Sequence, residues 1–237
     1  MSATWAQTAR RLLPRLVRLS REIRPTIHLE SVNDLSPGTL RELGVEAVLW
    51  DVDGTLMAHH AARVEPEFVA GFEALLAAPQ LRHAIVSNCQ EARFAELGEI
   101  FPWIPIVLGY ETEEGGGFRV RHGSTDLWRG PGAAVASAAA ASNGGQGSGG
   151  LCPMRKPSRH LVRAALEEVG IADRPEAALM VGDQYFTDIA SANLAGIRSA
   201  KVPTLHRASF PAPVRWAQRL EALLYRLRYG RPARDDA

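Results

Sequence analysis

The chain has almost no lysine. Of 27 basic residues 25 are arginine, and only Lys156 and Lys201 are not. Cysteine is as scarce. Cys89 and Cys152 build neither a disulfide framework nor a zinc site, which favours a reducing compartment. No stretch approaches the roughly 18 to 20 consecutive apolar residues of a membrane span. Net charge is nearly missing too, at +1, and by itself implies no partner. What is present is a globular composition: 46% apolar and 22% charged over 237 residues. That excludes collagen, a disulfide miniprotein and a wholly disordered chain, and predicts one domain with an appendage.

The small net charge hides an uneven distribution. Residues 1–24 hold six arginines against one glutamate, residues 25–203 hold 14 basic against 22 acidic residues, and residues 204–237 hold seven against three. An acidic body therefore carries basic ends. The first 24 residues lack the apolar core of a secretory signal. Their arginines fit an organelle transit peptide and a basic surface helix equally, so a cytoplasmic and an organelle location both stay open.

Along the body, short apolar runs alternate with helical periods. Strands are predicted at Ala47–Trp50, His83–Val86, Ile104–Leu108, Ala177–Val181 and Ile197–Val202, and helices over 66–78, 90–99, 157–169 and 186–195. This alternation predicts an α/β, Rossmann-like parallel sheet with helices on both faces, and catalytic residues at the carboxyl ends of its strands. Residues 111–153, with GAAVASAAAAS and SNGGQGSGG, read as a flexible surface insertion. The expected organisation is a basic lead-in over 1–45, a catalytic domain over 46–202 and a basic amphipathic tail over 203–237.

The chemistry-bearing residues collect at the predicted strand ends. Asp51-Val52-Asp53-Gly54-Thr55-Leu56 follows the first strand. Of two carboxylates so spaced, one can attack an electrophile or bind a metal while the other handles a proton. An ordinary Asp-Gly turn is the competing reading. Ser87 and Asn88 end the second strand, where Ser87 either caps the next helix or offers a hydroxyl to a phosphate. Pro157 suits a first helical position, which puts Lys156 at a helix N-terminus, against the helix dipole. An anion between them would resolve that conflict. Asp183 and Asp188 in Gly182-Asp183-Gln184-Tyr185-Phe186-Thr187-Asp188 add two more acids to the same sheet edge. Four acids there repel one another without a cation, and an all-oxygen set suits Mg²⁺ rather than zinc. His59 and His60 read as a solvated pair, Arg119, Arg121 and His122 as surface decoration, and Cys89 has no base beside it.

In this order the set resembles the haloacid dehalogenase (HAD) superfamily: Asp-x-Asp-Gly-Thr-Leu, a strand ending in Ser, Lys-Pro before a helix, then Gly-Asp-x₄-Asp. The resemblance covers roughly 46–202 without the insertion. It implies that Asp51 is the nucleophile and Asp53 the general acid and base. Ser87, Asn88 and Lys156 would hold the phosphoryl group, and Asp183, Asp51, Asp53 (through its carbonyl) and Asp188 would form or support the Mg²⁺ site. The lead-in Pro25-Thr26-Ile27-His28-Leu29-Glu30-Ser31-Val32 and Leu40-Arg41-Glu42-Leu43-Gly44-Val45 is similar to the YqeG-like subfamily IIIA, which includes phosphatidylglycerophosphate phosphatases. Gly54 and Cys89 stand where that group usually has asparagine.

Only 30 residues (57–86) separate the first motif from Ser87, too few for a large cap. A site left uncovered suits a phosphate on something large, such as a lipid. In the tail, Trp216, Leu220, Leu223, Leu224 and Leu227 share one helical face beside Arg215, Arg219 and Arg226. Such a face either lies on an anionic membrane or packs on the chain's own sheet. The expected activity is a Mg²⁺-dependent phosphomonoesterase, with phosphatidylglycerophosphate as candidate substrate and peripheral membrane contact through the basic ends. A phosphatase for a soluble sugar or nucleotide phosphate and a non-catalytic binding scaffold are the alternatives. No nucleic-acid partner is expected.

Overall fold

A computed structural model of the chain describes residues 18–112, 115–130 and 152–230. Its strands are β1 (Ile27–His28), β2 (Ala47–Trp50), β3 (Arg82–Val86), β4 (Ile106–Thr112), β5 (Gly115–His122), β6 (Thr125–Arg129), β7 (Cys152–Met154), β8 (Ala178–Gly182) and β9 (Arg198–Lys201). They form one sheet in the order β1-β9-β8-β2-β3-β4-β5-β6, with β7 against β4. From β1 to β4 neighbouring strands are parallel; β4, β5 and β6 are antiparallel, as are β4 and β7.

The helices among the described residues are α1 (Pro37–Glu42), α2 (Pro66–Leu76), α3 (Glu91–Ile100), α4 (Arg159–Glu168), α5 (Ala190–Ala195) and α6 (Ala212–Tyr229). The pleat of β2 divides the core. Val48 and Trp50 pack with Phe68, Phe72 and Leu75 of α2 and with Phe94 and Leu97 of α3. Ala47 and Leu49 pack with Leu161, Val162 and Ala165 of α4 and with Ala192 of α5. A strand buried on both faces needs a continuous apolar run, and all four residues of β2 are buried.

Several elements differ from expectation. Pro105 accepts a bond from the Ile85 N–H but has no N–H to give, so β4 starts at Ile106, two residues later than expected, and runs on to Thr112. Residues 115–130 are not a flexible insertion; they form the β5–β6 hairpin. Its Gly115-Gly116-Gly117 start carries no strand signal, and Arg119 holds it by pairing with Asp126 across the hairpin and with Glu91 on α3. The Ala- and Gly-rich tracts between 131 and 151 lie outside the described residues, as do residues 1–17. Only 18–24 of the basic N-terminal segment can therefore be placed. Ile23 there is fully buried. Pro157 is not the first residue of α4: Ser158 is the N-cap, and the Lys156–Pro157 peptide is cis. Among the described residues no helix is long and apolar enough to cross a membrane.

The tail helix α6 packs on the body, but not through its leucine stripe. Its inner face is Gln218, Glu221, Ala222 and Tyr225, all buried. Tyr225 stacks on Tyr185 with ring centroids 4.5 Å apart, and its hydroxyl meets His28 Nε2 at 2.9 Å. Leu220 and Leu223 are about half exposed, and Trp216 and Leu227 are 68% and 74% exposed. Aromatic stacking and hydrogen bonds, rather than leucine burial, choose the docking face. Tyr225→Ala is expected to cost about 3 kcal/mol, and Leu227→Ala less than about 0.5 kcal/mol. Thermal denaturation of the two variants checks this, and comparable losses would contradict the assigned face.

Candidate active site

The parallel strands β2, β3 and β8 stop in register, with Trp50 opposite Ile85 and Val181. Asp51, Ser87 and Asp183 follow at the same sheet edge. β4 projects beyond that edge, and β7 runs back along the projection, pairing Cys152 with Glu111 and Met154 with Gly109. The chain is thereby led down toward the edge, and Lys156 arrives there two residues after β7.

Lys156 Nζ lies 2.5 Å from Asp51 Oδ1 and 2.5 Å from Asp188 Oδ1. All three residues are buried. Asp51 Oδ2 also accepts a long bond, 3.4 Å, from the Thr55 hydroxyl. Asp188 Oδ2 accepts the Gln184 N–H at 3.0 Å, so the side chain folds over its own turn while facing the lysine. Gly182 makes room for it, because a Cβ there would collide with the Asp188 carboxylate. Asn88 Oδ1 accepts the Lys156 N–H at 2.7 Å and fixes the backbone from which the lysine reaches in. Ser87 is buried at the end of β3. It does not cap α3, whose N-cap is Gln90.

Asp183 completes the cluster. Single carboxylate oxygens of Asp51, Asp183 and Asp188 lie within 4.8 Å of one another. Both Asp183 oxygens are buried with no hydrogen-bond partner at ordinary geometry; the Thr204 hydroxyl and Lys201 offset its charge only in part. An uncompensated buried carboxylate is costly. Three carboxylates against Lys156, with Lys201 farther off, leave negative charge over, and every available ligand is oxygen. The donor set therefore fits a hard divalent cation.

Electrostatics follow the burial. Desolvation pushes the Asp51 carboxyl up to about 7, Asp188 and Asp53 adding to the rise and Lys156 opposing it. Desolvation, with Asp188 and Asp51 as neighbours, holds Asp183 well above the usual carboxylate range. Burial alone would lower the Lys156 pKa, but Asp188 and Asp51 outweigh it and raise it. Burial also pushes the Cys89 thiol up to about 12, which removes it as a thiolate nucleophile.

Asp53 points elsewhere. Its Oδ1 accepts from Arg93 at 2.7 Å and from the His60 N–H at 3.1 Å. Arg93 is 3% exposed and also reaches Glu96 and the Met57 sulfur. Gly54 turns the loop at φ +93°, and a Cβ there would strike the Phe210 ring. Leu205 N–H donates to the Gly54 carbonyl at 2.8 Å, and His59 stacks on Phe210. Residues 203–210 thus lie over the first motif loop. Arg119 is paired as described, and Arg121 donates to the Gly123 carbonyl.

The cluster brings together Asp51, Lys156, Asp183 and Asp188, with Asn88 supporting the lysine. Sequence reasoning missed Arg93, Thr55, Phe210 and Glu221. Glu221 accepts the Tyr185 and Phe186 N–H groups at the head of the Tyr185–Ile189 π-turn that carries Asp188. Burial pushes its carboxyl up to about 7. A signal existed for it as the one acid in an arginine-rich helix. None marked Arg93, which sits in an ordinary helical stretch.

A family model described as HAD-hydrolase-like matches residues 153–205. That stretch carries Lys156, Asp183 and Asp188, and the match supports the haloacid dehalogenase superfamily. Among curated proteins none matches. An uncharacterized protein from Listeria monocytogenes serotype 4b is 19% identical, with 65% of this chain and 76% of that chain covered and a TM-score of 0.36. NagD from E. coli K-12 is 19% identical, with 67% and 87% covered and a TM-score of 0.30. At that similarity neither lends its chemistry to this chain.

Raised carboxyl pKa values set the sign of the pH dependence. Asp51 and Glu221, both near 7 when folded, hold protons that the unfolded chain has already released. Their contribution to stability is complete below the ordinary carboxylate range and is lost as pH rises through about 7. The metal-free protein should melt progressively lower between about pH 5 and pH 8. Mg²⁺, which favours ionised Asp51 and Asp183, should flatten that slope. Calorimetry in EDTA and in Mg²⁺ measures both, and identical slopes would remove the cation site.

Proposed function

We propose that the chain is a HAD-type phosphomonoester hydrolase working through an aspartyl-phosphate on Asp51, with Mg²⁺ at the acid cluster. One observation carries this reading: a single ammonium bridges two buried aspartates while a third, Asp183, stands beside them with both oxygens unmatched. A purely structural ion cluster has no reason to bury such a carboxylate. The Asp-Gly turn reading explains Asp51 alone and leaves Asp183 and Asp188 without a role.

Asp51, Asp183 and Asp188 would hold Mg²⁺, which when bound supplies positive charge against the phosphoryl oxygens. An Asp51 carboxylate oxygen attacks phosphorus, and the bond from phosphorus to the leaving oxygen breaks with its electron pair on that oxygen. Asp53 delivers the proton the leaving alkoxide needs. Its Oδ1 is occupied by Arg93 and His60, so Oδ2 is the oxygen left to carry it. In the second half Asp53 takes a proton from water, whose oxygen attacks the phosphorus and releases Asp51. Lys156 moves with neither proton; it holds charge on the phosphoryl group and aligns Asp51. Ser87 and Asn88, at the end of β3, line the phosphoryl side.

The substrate we favour is a phosphate on a lipid headgroup, with phosphatidylglycerophosphate as the candidate. The lead-in resemblance supports this, as does the short stretch from 57 to 65, which forms loop and turns and no helix or strand of its own.

Asp51→Asn should abolish phosphate release, and Asp53→Asn should lower it by about 10²–10⁴-fold. Phosphate release from micellar phosphatidylglycerophosphate and from soluble esters, with and without EDTA, tests chemistry and substrate separately. Turnover surviving in Asp51→Asn overturns the nucleophile. A strong preference for a sugar or nucleotide phosphate overturns the lipid while leaving the chemistry standing.

A further inference from the structure

The outer face of α6 is used by neither the fold nor the proposed chemistry. Trp216, Leu220, Leu223 and Leu227 follow one another at helical spacing and all are exposed. Arg215, Arg219 and Arg226 flank them. These three arginines, with Trp216, Leu223 and Arg207, line an open groove of about 670 Å³ along the helix. The Arg219 guanidinium sits 5.5 Å from the centre of the Trp216 ring. The inner face is already committed to Tyr185, Phe186 and His28. An 18-residue helix is about 27 Å long, so the stripe is a rod of apolar side chains edged with positive charge.

We infer that this face docks the protein on an anionic lipid bilayer surface. Three observations favour that occupant. Leucines and a tryptophan match the acyl and headgroup boundary, where arginines beside them meet lipid phosphates. A second copy is disfavoured by charge: α6 has one acid, Glu221, and it is buried on the opposite face, so two outer faces would set arginine against arginine. A nucleic acid would use the arginines but leave the leucines without a partner.

Position gives the docking its consequence. α6 begins at Ala212, two residues after Phe210, whose ring packs on Gly54 of the first motif. Arg207 lines the outer groove and also the small polar cavity that reaches Asp183, Gln218 and Glu221. A bilayer under α6 therefore lies against the segment that packs on the first motif and borders the cavity reaching Asp183. This deepens the lipid-phosphate reading, but the docking itself requires no turnover.

Flotation with vesicles of phosphatidylcholine, with and without phosphatidylglycerol, tests it on the full chain. Binding is expected to the anionic vesicles only. It should fall steeply in about 1 M salt, where charge is screened over about 3 Å. Each of Arg215→Gln, Arg219→Gln and Arg226→Gln should weaken partitioning about fivefold, and the three together roughly a hundredfold. Leu223→Ser with Leu227→Ser should abolish binding while turnover of a soluble ester is unchanged, which shows that the fold is intact. Asp51→Asn should bind as the parent does, so a failed phosphatase assay and a failed docking assay are distinguishable. Absence of flotation, binding indifferent to the leucine changes, a dimer that vesicles do not dissociate, or binding to single-stranded RNA instead of vesicles would each overturn the docking.

Discussion

One ammonium group holds the site together. Lys156 Nζ touches Asp51, which is 105 residues away in sequence, and Asp188, which is 32 away. Without it three carboxylates would be gathered at one dry sheet edge with little to offset them but Lys201. Burying an ion pair is not in itself stabilising, because the loss of hydration rivals the attraction regained. Much of the surrounding architecture can be understood as what that burial requires. β7 exists to bring the lysine down to the edge, Asn88 fixes its backbone, and Gly182 clears space for the Asp188 side chain. Asp183 remains the unbalanced member. A fold that leaves it so is stabilised by whatever cation fills the position, which links stability and chemistry through the same atoms.

The tail is as much a part of this arrangement as the sheet. Glu221 reaches from α6 to the two N–H groups that open the turn bearing Asp188. Tyr225 and Tyr185 stack beside that contact. Phe210 and Leu205 meanwhile bear on Gly54, which lies beside Asp183. The segment after β9 thus touches both the loop that follows Asp51 and the turn that carries Asp188. A helix with Tyr225 and Glu221 inside and Trp216 and three leucines outside is energetically odd on its own. It becomes consistent when the inner contacts are counted as positioning the site and the outer ones as facing another phase.

The alternation of elements and the acids at strand ends were legible because each follows from local pattern. A strand buried on both faces must be apolar throughout, and a carboxylate directly after it must lie at the edge. The β5–β6 hairpin was not legible as a whole: its three-glycine start carries no strand signal, and the packing of Val120 and Trp128 on the core and the pairing of Arg119 with Glu91 and Asp126 arise only in the fold. Arg93 was hidden for a different reason. Its partner Asp53 is 40 residues away, and no local feature sets a buried helix arginine apart from a solvated one. The face chosen by α6 ran against its pattern because stacking and hydrogen bonds at Tyr225 and Glu221 outweighed the burial of three leucines and a tryptophan.

The scarcity of lysine acquires a physical meaning at this point. Lys156 and Lys201 are both buried, at 5% and 3% exposure. The first bridges two carboxylates, and the second donates to the Val202 carbonyl at 2.7 Å and lies 4.9 Å from the centre of the Tyr185 ring. A compact ammonium can bring one charge within 2.5 Å of two carboxylates on different elements. A planar guanidinium spreads its charge over a fork and needs more room. Arginine lines the solvent-facing side of α6, and Arg93 is buried only with its fork spread over Asp53 and Glu96. Where space is limited and the charge must sit at a point, the chain uses lysine, and both such places adjoin Asp183 or its neighbours.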